Sequence, residues 1–157
     1  MTAVEPRAAD LGSLPAIGAA ALCMGVFDGV HRGHEALLGA TAAAAAELGA
    51  ASVALVFEPH PDEVIHPGSR VVRLAPPHVV LERIGALGID HAVLLRFDDA
   101  LRERTAEEFL AGLAPAIEVR ALIMTPESAF GRERGGTVDH MQAHGREAGF
   151  EVRVVEP

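Results

Sequence analysis

An apolar run from Ala19 to Met24 ends in Gly25-Val-Phe-Asp-Gly-Val-His-Arg-Gly-His34, and the chain then passes into an Ala- and Leu-rich stretch reaching Leu48. That order reads as a buried strand, a glycine-broken turn and a helix. Small residues at such a turn let the backbone approach a ligand, and the first helical N–H groups point at an anion. His31 and His34 stand at the mouth, where imidazoles can donate hydrogen bonds to phosphate oxygens. The junction predicts a site for a nucleoside triphosphate at the end of the first strand. The plainer reading, one histidine capping the helix and the other in solvent, suits a lone histidine better than two at a glycine-flanked switch. A His-x-x-His metal site is weaker still, because no third ligand is evident nearby.

The same alternation continues along the chain. Strands are expected over residues 19–27, 52–57, 91–97, 119–124 and 151–155. Helices are expected over 34–48, 77–87, 106–113 and 137–148. Gly49, Gly88 and Gly149 follow three of these helices, and Thr105-Ala-Glu-Glu108 has the spacing of a capping box. The order βαβαβαβαβ with mostly apolar strands predicts an α/β fold: a Rossmann-like, doubly wound, parallel five-stranded sheet with helices on both faces. At 157 residues one domain over 1–157 is expected, with no disordered tail beyond about the first ten residues. Ligands in such sheets bind beyond the carboxyl ends of the strands. The loops 28–33, 58–68, 98–104 and 125–136 should therefore line one crevice.

Composition removes several classes of function. All 13 basic residues are Arg, so no Lys is available for a Schiff base or for a Walker phosphate loop. The dinucleotide fingerprint Gly-x-Gly-x-x-Gly does not follow the first strand either. A net charge of −9 argues against nucleic acid and anionic membranes as partners, although local dipoles can still hold ATP. Cys23 is the one cysteine, inside the first apolar run, and reads as a core residue. No signal peptide and no membrane-spanning run is visible, so a cytoplasmic protein is expected. The oligomeric state is not readable.

The first motif closely resembles the signature of bacterial FAD synthetases, the FMN adenylyltransferase modules of bifunctional riboflavin kinase/FAD synthetases, within the His-x-x-His nucleotidyltransferase superfamily. Further segments match in family order. Val56-Phe-Glu-Pro-His-Pro61 resembles a Phe-x-Pro-His-Pro loop, and Leu81 to Asp90 a helix leading into the third strand. Phe97 and Ala106-Glu-Glu-Phe109 match the next segment. Phe130-Gly-Arg-Glu-Arg-Gly-Gly136 resembles a Phe-Gly-x-x-x-x-Gly flap, and Gly149 to Val154 the last strand.

The resemblance implies that the phosphate of FMN attacks the α-phosphate of ATP, giving FAD and pyrophosphate with Mg²⁺. It implies that His31 and His34 bind the ATP phosphates and stabilise the transition state. Gly25, Phe27, Asp28, Gly29 and Gly33 would shape the nucleotide pocket. Phe57, His60, Pro61 and Glu127 would lie near the flavin or its phosphate.

Several positions keep two readings. His60 can contact ligand or hold a turn through a ring-to-backbone bond. Glu58 and Asp62 can assist Mg²⁺ or be solvated acids. Arg132 and Arg134 can reach phosphate or lie in solvent. His140 and His144, one helical turn apart, read as surface residues, and His66, His78 and His91 carry no motif.

Two departures from the family pattern stand out. Where the family shows Gly-x-Asn/Asp-Phe, this chain has Thr125-Pro-Glu127-Ser128. The sequence as given also stops at Pro157, ahead of the family's Ile-Ser-Ser-Thr-x-x-Arg motif, and a riboflavin kinase domain is expected to be absent from it. Two alternatives follow: a degenerate or truncated nucleotide- or flavin-binding homologue without activity, and a related transferase acting on another phosphate, such as phosphopantetheine or glycerol phosphate. The Phe-x-Pro-His-Pro loop favours flavin.

Overall fold

The computed structural model describes residues 6–156. Seven strands occur among them: β1 (Gly18–Gly25), β2 (Ala51–Glu58), β3 (His91–Arg96), β4 (Ile117–Met124), β5 (Ala129–Phe130), β6 (Gly136–Thr137) and β7 (Glu151–Val154). Six α-helices accompany them: α1 (Arg32–Leu48), α2 (Pro61–Ile65), α3 (Pro77–Ala86), α4 (Asp99–Arg102), α5 (Ala106–Leu113) and α6 (Val138–Ala148). Five strands form one sheet in the order β3-β2-β1-β4-β7, with every neighbouring pair parallel. The expected α/β architecture is therefore present. The chain steps outward from β1 to β3, then returns to lay β4 on the other side of β1. That reversal opens a crevice between the carboxyl ends of β1 and β4.

Burial follows the two-residue period of a strand. Ala20 and Leu22 of β1 join a core with Leu55, Phe109, Leu113 and Met141, which places α5 and α6 on that face. Ala21 and Cys23 join the opposite core with Leu38, Ala44, Val80 and Ile84, under α1 and α3. Small residues on β1 meet small residues on α1, so this helix lies close across β1, β2 and β4. Gly49, at φ 64°, ends α1 by returning its N–H to the carbonyls of Ala45 and Ala46.

Cys23 is fully enclosed, and burial pushes its thiol up to about 12 against a smaller opposing effect from Thr41. It is an inert core residue. At the sheet edge away from the crevice, the Ser52 N–H donates to the Asp90 carboxylate at 2.9 Å. The Asp90 N–H donates back to Ser52 Oγ at 2.8 Å, which fixes β2 against β3.

The structure departs from the sequence reading in four places. β1 stops at Gly25 rather than at residue 27, because Phe27 takes a left-handed φ of 55° that no strand accepts. α1 starts at Arg32, so His34 lies inside its first turn and His31 is its N-cap. The short helices α2 and α4 and the β5–β6 hairpin were not expected; each is too brief to show a period. Ala9, placed in the expected tail, pairs with β3: its N–H donates to the Leu94 carbonyl, and its carbonyl accepts from the Arg96 N–H at 2.8 Å. Residues 1–5 of that tail lie outside the described residues.

Candidate functional site

The turn between β1 and α1 is held by buried side chains. Phe27, 1% exposed, and Val30, 8% exposed, both have positive φ, at 55° and 43°. Such conformations cost on the order of 1–3 kcal/mol each for residues with a Cβ, and the packing of these side chains offsets it. The Val30 N–H closes the turn on the Phe27 carbonyl at 3.1 Å. Gly29, at φ 78°, passes beneath Leu74; a Cβ there would stand 2.8 Å from Leu74 Cδ1. The Asp28 carboxylate accepts from the N–H groups of Leu74 (2.9 Å) and Ala75 (3.3 Å). An ion pair between Glu58 and Arg73 ties down the same segment. Residues 71–75 thus form a strap across the turn, with Leu74 80% exposed on its outer side.

This scaffold delivers two imidazoles face to face. Their centroids lie 3.7 Å apart with planes inclined by 18°. The edge of Phe27 supports His34 at 5.1 Å. His31 caps α1: its Nδ1 accepts from the Gly33 N–H at 3.2 Å. With Nδ1 acting as acceptor, the neutral ring carries its proton on Nε2, a donor at the open rim. His34 is half-buried, and its Nδ1 is enclosed without a hydrogen-bond partner among the described residues. Burial, then the neighbouring His31, lower its pKa to about 4, against a smaller opposing effect from Asp28. At neutral pH His34 is therefore uncharged, stacked on His31 beside the N-terminus of a 17-residue helix.

Two connected cavities open at the carboxyl edge of the sheet. The crevice, about 300 Å³, is walled by Met24, Gly25, Val26 and Met124 and edged by Glu127 and Ser128. Next to it lies a chamber of about 170 Å³ with four aromatic walls, Phe57, Phe97, Phe109 and Phe130. Phe57 meets Phe97 edge-on at 5.6 Å, and Phe109 meets Phe130 at the same separation. The β5–β6 hairpin forms a flap over both. Gly131 and Gly136 press against α5, where a Cβ would stand 2.7 Å from Ala106 N and 2.8 Å from Ala106 Cβ. The Arg132 N–H donates to the Arg104 carbonyl at 2.7 Å.

A family model described as FAD synthetase matches residues 15–157. The chain belongs to the FAD synthetase family. It is 36% identical over 134 residues to a bifunctional riboflavin kinase/FMN adenylyltransferase of Pseudomonas fluorescens, covering 85% of this chain and 43% of that protein. It is also 36% identical over 145 residues to a putative bifunctional riboflavin kinase/FMN adenylyltransferase of Geobacillus thermodenitrificans, covering 92% and 72%. The Escherichia coli K12 relative is 31% identical over 83% of this chain and 42% of its own length. The chain thus spans less than half of two of these relatives. A crystal structure of a macrolide-efflux protein from Streptococcus pneumoniae matches with a TM-score of 0.79 at 22% identity, over 93% of this chain and 48% of that one. That likeness concerns the fold alone.

Within this FAD synthetase-family chain the expected site residues divide among neighbouring spaces. Gly25, Phe57, Pro61 and Glu127 line the crevice. Asp28 and His60 line a separate small cavity of about 10 Å³ with Glu58 and Arg73. His31 and His34 are not in the crevice wall; they stand on the turn that continues from it, with His31 exposed. Gly33 supplies the N–H bound by His31. Three of the four expected loops border the joined crevice and chamber, through Pro61, Leu101 and Glu127, whereas loop 28–33 borders only the separate small cavity, through Asp28.

His60 makes the ring-to-backbone bond of the turn reading: its Nδ1 accepts from the Asp62 N–H at 3.1 Å and caps α2. Glu58 is engaged by Arg73, and Asp62 is exposed. The Ser128 hydroxyl is spent locally on the Thr125 N–H, which donates to it at 2.9 Å.

Sequence reasoning missed the strap. Its residues sit in a Pro- and Gly-rich loop without a period, and its anchors, the Asp28 bonds to two backbone N–H groups and the Glu58–Arg73 pair, join residues far apart in sequence. It also missed that His140 has an acidic partner, Glu107, on the neighbouring α5.

Proposed function

We propose that this chain is an adenylyltransferase that moves AMP from ATP to FMN. A phosphate oxygen of FMN attacks the α-phosphorus of ATP. The bond from that phosphorus to the bridging oxygen breaks, and pyrophosphate leaves with the electron pair. No covalent intermediate on the protein is needed, so catalysis rests on alignment and on spreading negative charge. The stacked pair His31–His34 at the start of α1 carries the proposal. Two imidazole rings and a helix N-terminus supply donors to the triphosphate without a strong base. The aromatic chamber suits a flat ring, and the crevice joins it to the β1–α1 turn.

Mg²⁺ would enter with the triphosphate. Among the described residues, no group of three or more His, Cys, Asp or Glu is placed to hold a metal. Also among the described residues, no helix is long and apolar enough to cross a membrane.

One observation favours a second reading, a binder without turnover: Ser128 turns its hydroxyl inward and Glu127 stands exposed at the crevice rim. Incubation with ATP, Mg²⁺ and FMN separates the two. Formation of FAD and pyrophosphate, lost in His31→Ala, supports the transferase. Saturable binding without pyrophosphate supports the binder, and FAD formation indifferent to His31→Ala removes the assigned chemistry.

A further inference from the structure

Among the described residues, Arg134 is the one ionisable side chain lining the aromatic chamber. It also lines the crevice. Phe57, Pro61, Ala129, Phe130 and Arg134 border both spaces and so form the neck between them. On its outer side Arg134 borders a groove of about 470 Å³ that holds Arg102, Arg132, Glu103 and Glu133. Among the described residues Arg134 has no carboxylate partner; its guanidinium donates to the Glu127 carbonyl at 3.3 Å. Most of its five N–H donors are left for a ligand.

The backbone holds this cation in place. Arg134 has a left-handed φ of 55°, as does Glu133 before it. The flap that carries them is pinned at both ends, by Gly131 and Gly136 against Ala106. An anchored backbone leaves only the arginine side chain itself to be ordered when it meets an anion. The need for a cation is local. The chain carries a net charge of −9, and the Glu127 carboxylate edges the crevice that a phosphate must enter.

We infer that Arg134 makes a phosphate on the flavin the condition for tight binding, by gripping the ribityl phosphate at the neck between chamber and crevice. The inference rests on the flavin reading above and assigns a specificity role within it. The flat ring fills the chamber, the ribityl chain passes Phe57 and Phe130, and the phosphate emerges past Arg134 toward the turn bearing His31. Arginine suits this task because its planar fork can meet two phosphate oxygens at once.

The test is a pair of titrations of the whole chain, with FMN and with riboflavin, followed by flavin fluorescence. The unaltered chain is expected to bind FMN at least about tenfold more tightly than riboflavin, the usual scale of a charge-assisted contact. Arg134→Ala should erase that preference, weakening FMN about tenfold and leaving riboflavin unchanged. Arg134→Lys, which keeps the charge and covers the case of a misfolded alanine variant, should restore part of it. In steady state, the KM for FMN should rise while the KM for ATP holds. Equal losses for both flavins would show a ring contact or a structural role and overturn the inference, as would an unchanged preference. An unaltered chain that binds neither flavin sinks the flavin reading itself, and this inference with it.

Discussion

The β1–α1 turn and the β5–β6 flap close the same crevice from its two sides by opposite means. The turn is short and held by side chains. Phe27 and Val30 are buried in strained backbone, and Asp28 binds the strap, so the two imidazoles have one arrangement. The flap is longer and held by bare backbone. Two glycines lie flush against Ala106, and the tip between them carries exposed charge. A site that presents imidazole donors can seat one of them half inside the protein. A site that must present a cation has to leave it in water and anchor what lies beneath. The turn is therefore suited to chemistry and the flap to choosing a substrate.

The largest effect expected from this contrast is on turnover. His31→Ala or His34→Ala should lower the rate of FAD formation by about 10²–10³-fold, the usual loss when a charge-stabilising donor is removed. Arg134→Ala should act through the KM for FMN, and a reversed pattern in initial-rate measurements would break the division between chemistry and selection.

Stability comes next. Gly131→Val combines a φ of 79° with backbone atoms of Ala106 at 2.7 Å, which cannot yield. It should cost about 2–4 kcal/mol in urea unfolding. Gly29→Ala has a similar φ of 78° but meets only the end of the exposed Leu74 side chain, which can swing away. It should cost about 1 kcal/mol. Equal losses would mean that the turn is as tightly anchored by backbone as the flap.

His34 ties stability to pH. Its pKa is lowered from 6.5 to about 4 on folding. Below pH 6.5 the unfolded chain takes up a proton that the folded ring refuses. The contribution is therefore complete above pH 6.5 and is lost as pH falls from 6.5 to 4. Solvent screening of a half-exposed ring reduces it to about 1–2 kcal/mol. Denaturant midpoints measured across that window should flatten in His34→Asn. The smallest effect belongs to the flap's neighbour: His140→Gln breaks an exposed pair with Glu107 and should shift stability by no more than about 0.5 kcal/mol.

The same contrast explains what could be read in advance. The alternation of apolar strands with glycine-stopped helices was legible, because burial on both faces of a parallel sheet leaves a long, regular imprint. The paired histidines were legible because a strand, a turn and a helix start lie within ten residues. The β5–β6 hairpin was not, since two-residue strands have no period and the glycines that seat it touch α5, distant in sequence. The bond from Asp28 to the backbone of Leu74 spans 46 residues and uses no side chain of the partner, so no pattern announces it. His60 sat between two readings because its bond to the Asp62 N–H is local, while its place beside Asp28 depends on how the strap folds.

Cys23 gives the molecule a built-in reporter. As the lone sulfhydryl of the chain, sealed between β1 and α1 and kept protonated, it is shielded from alkylating reagents while that seam is shut. The pace at which a maleimide captures it then clocks how often the helix bearing the histidines lifts from its sheet. A nucleotide that clamps the start of α1 would slow the clock without touching the sulfur.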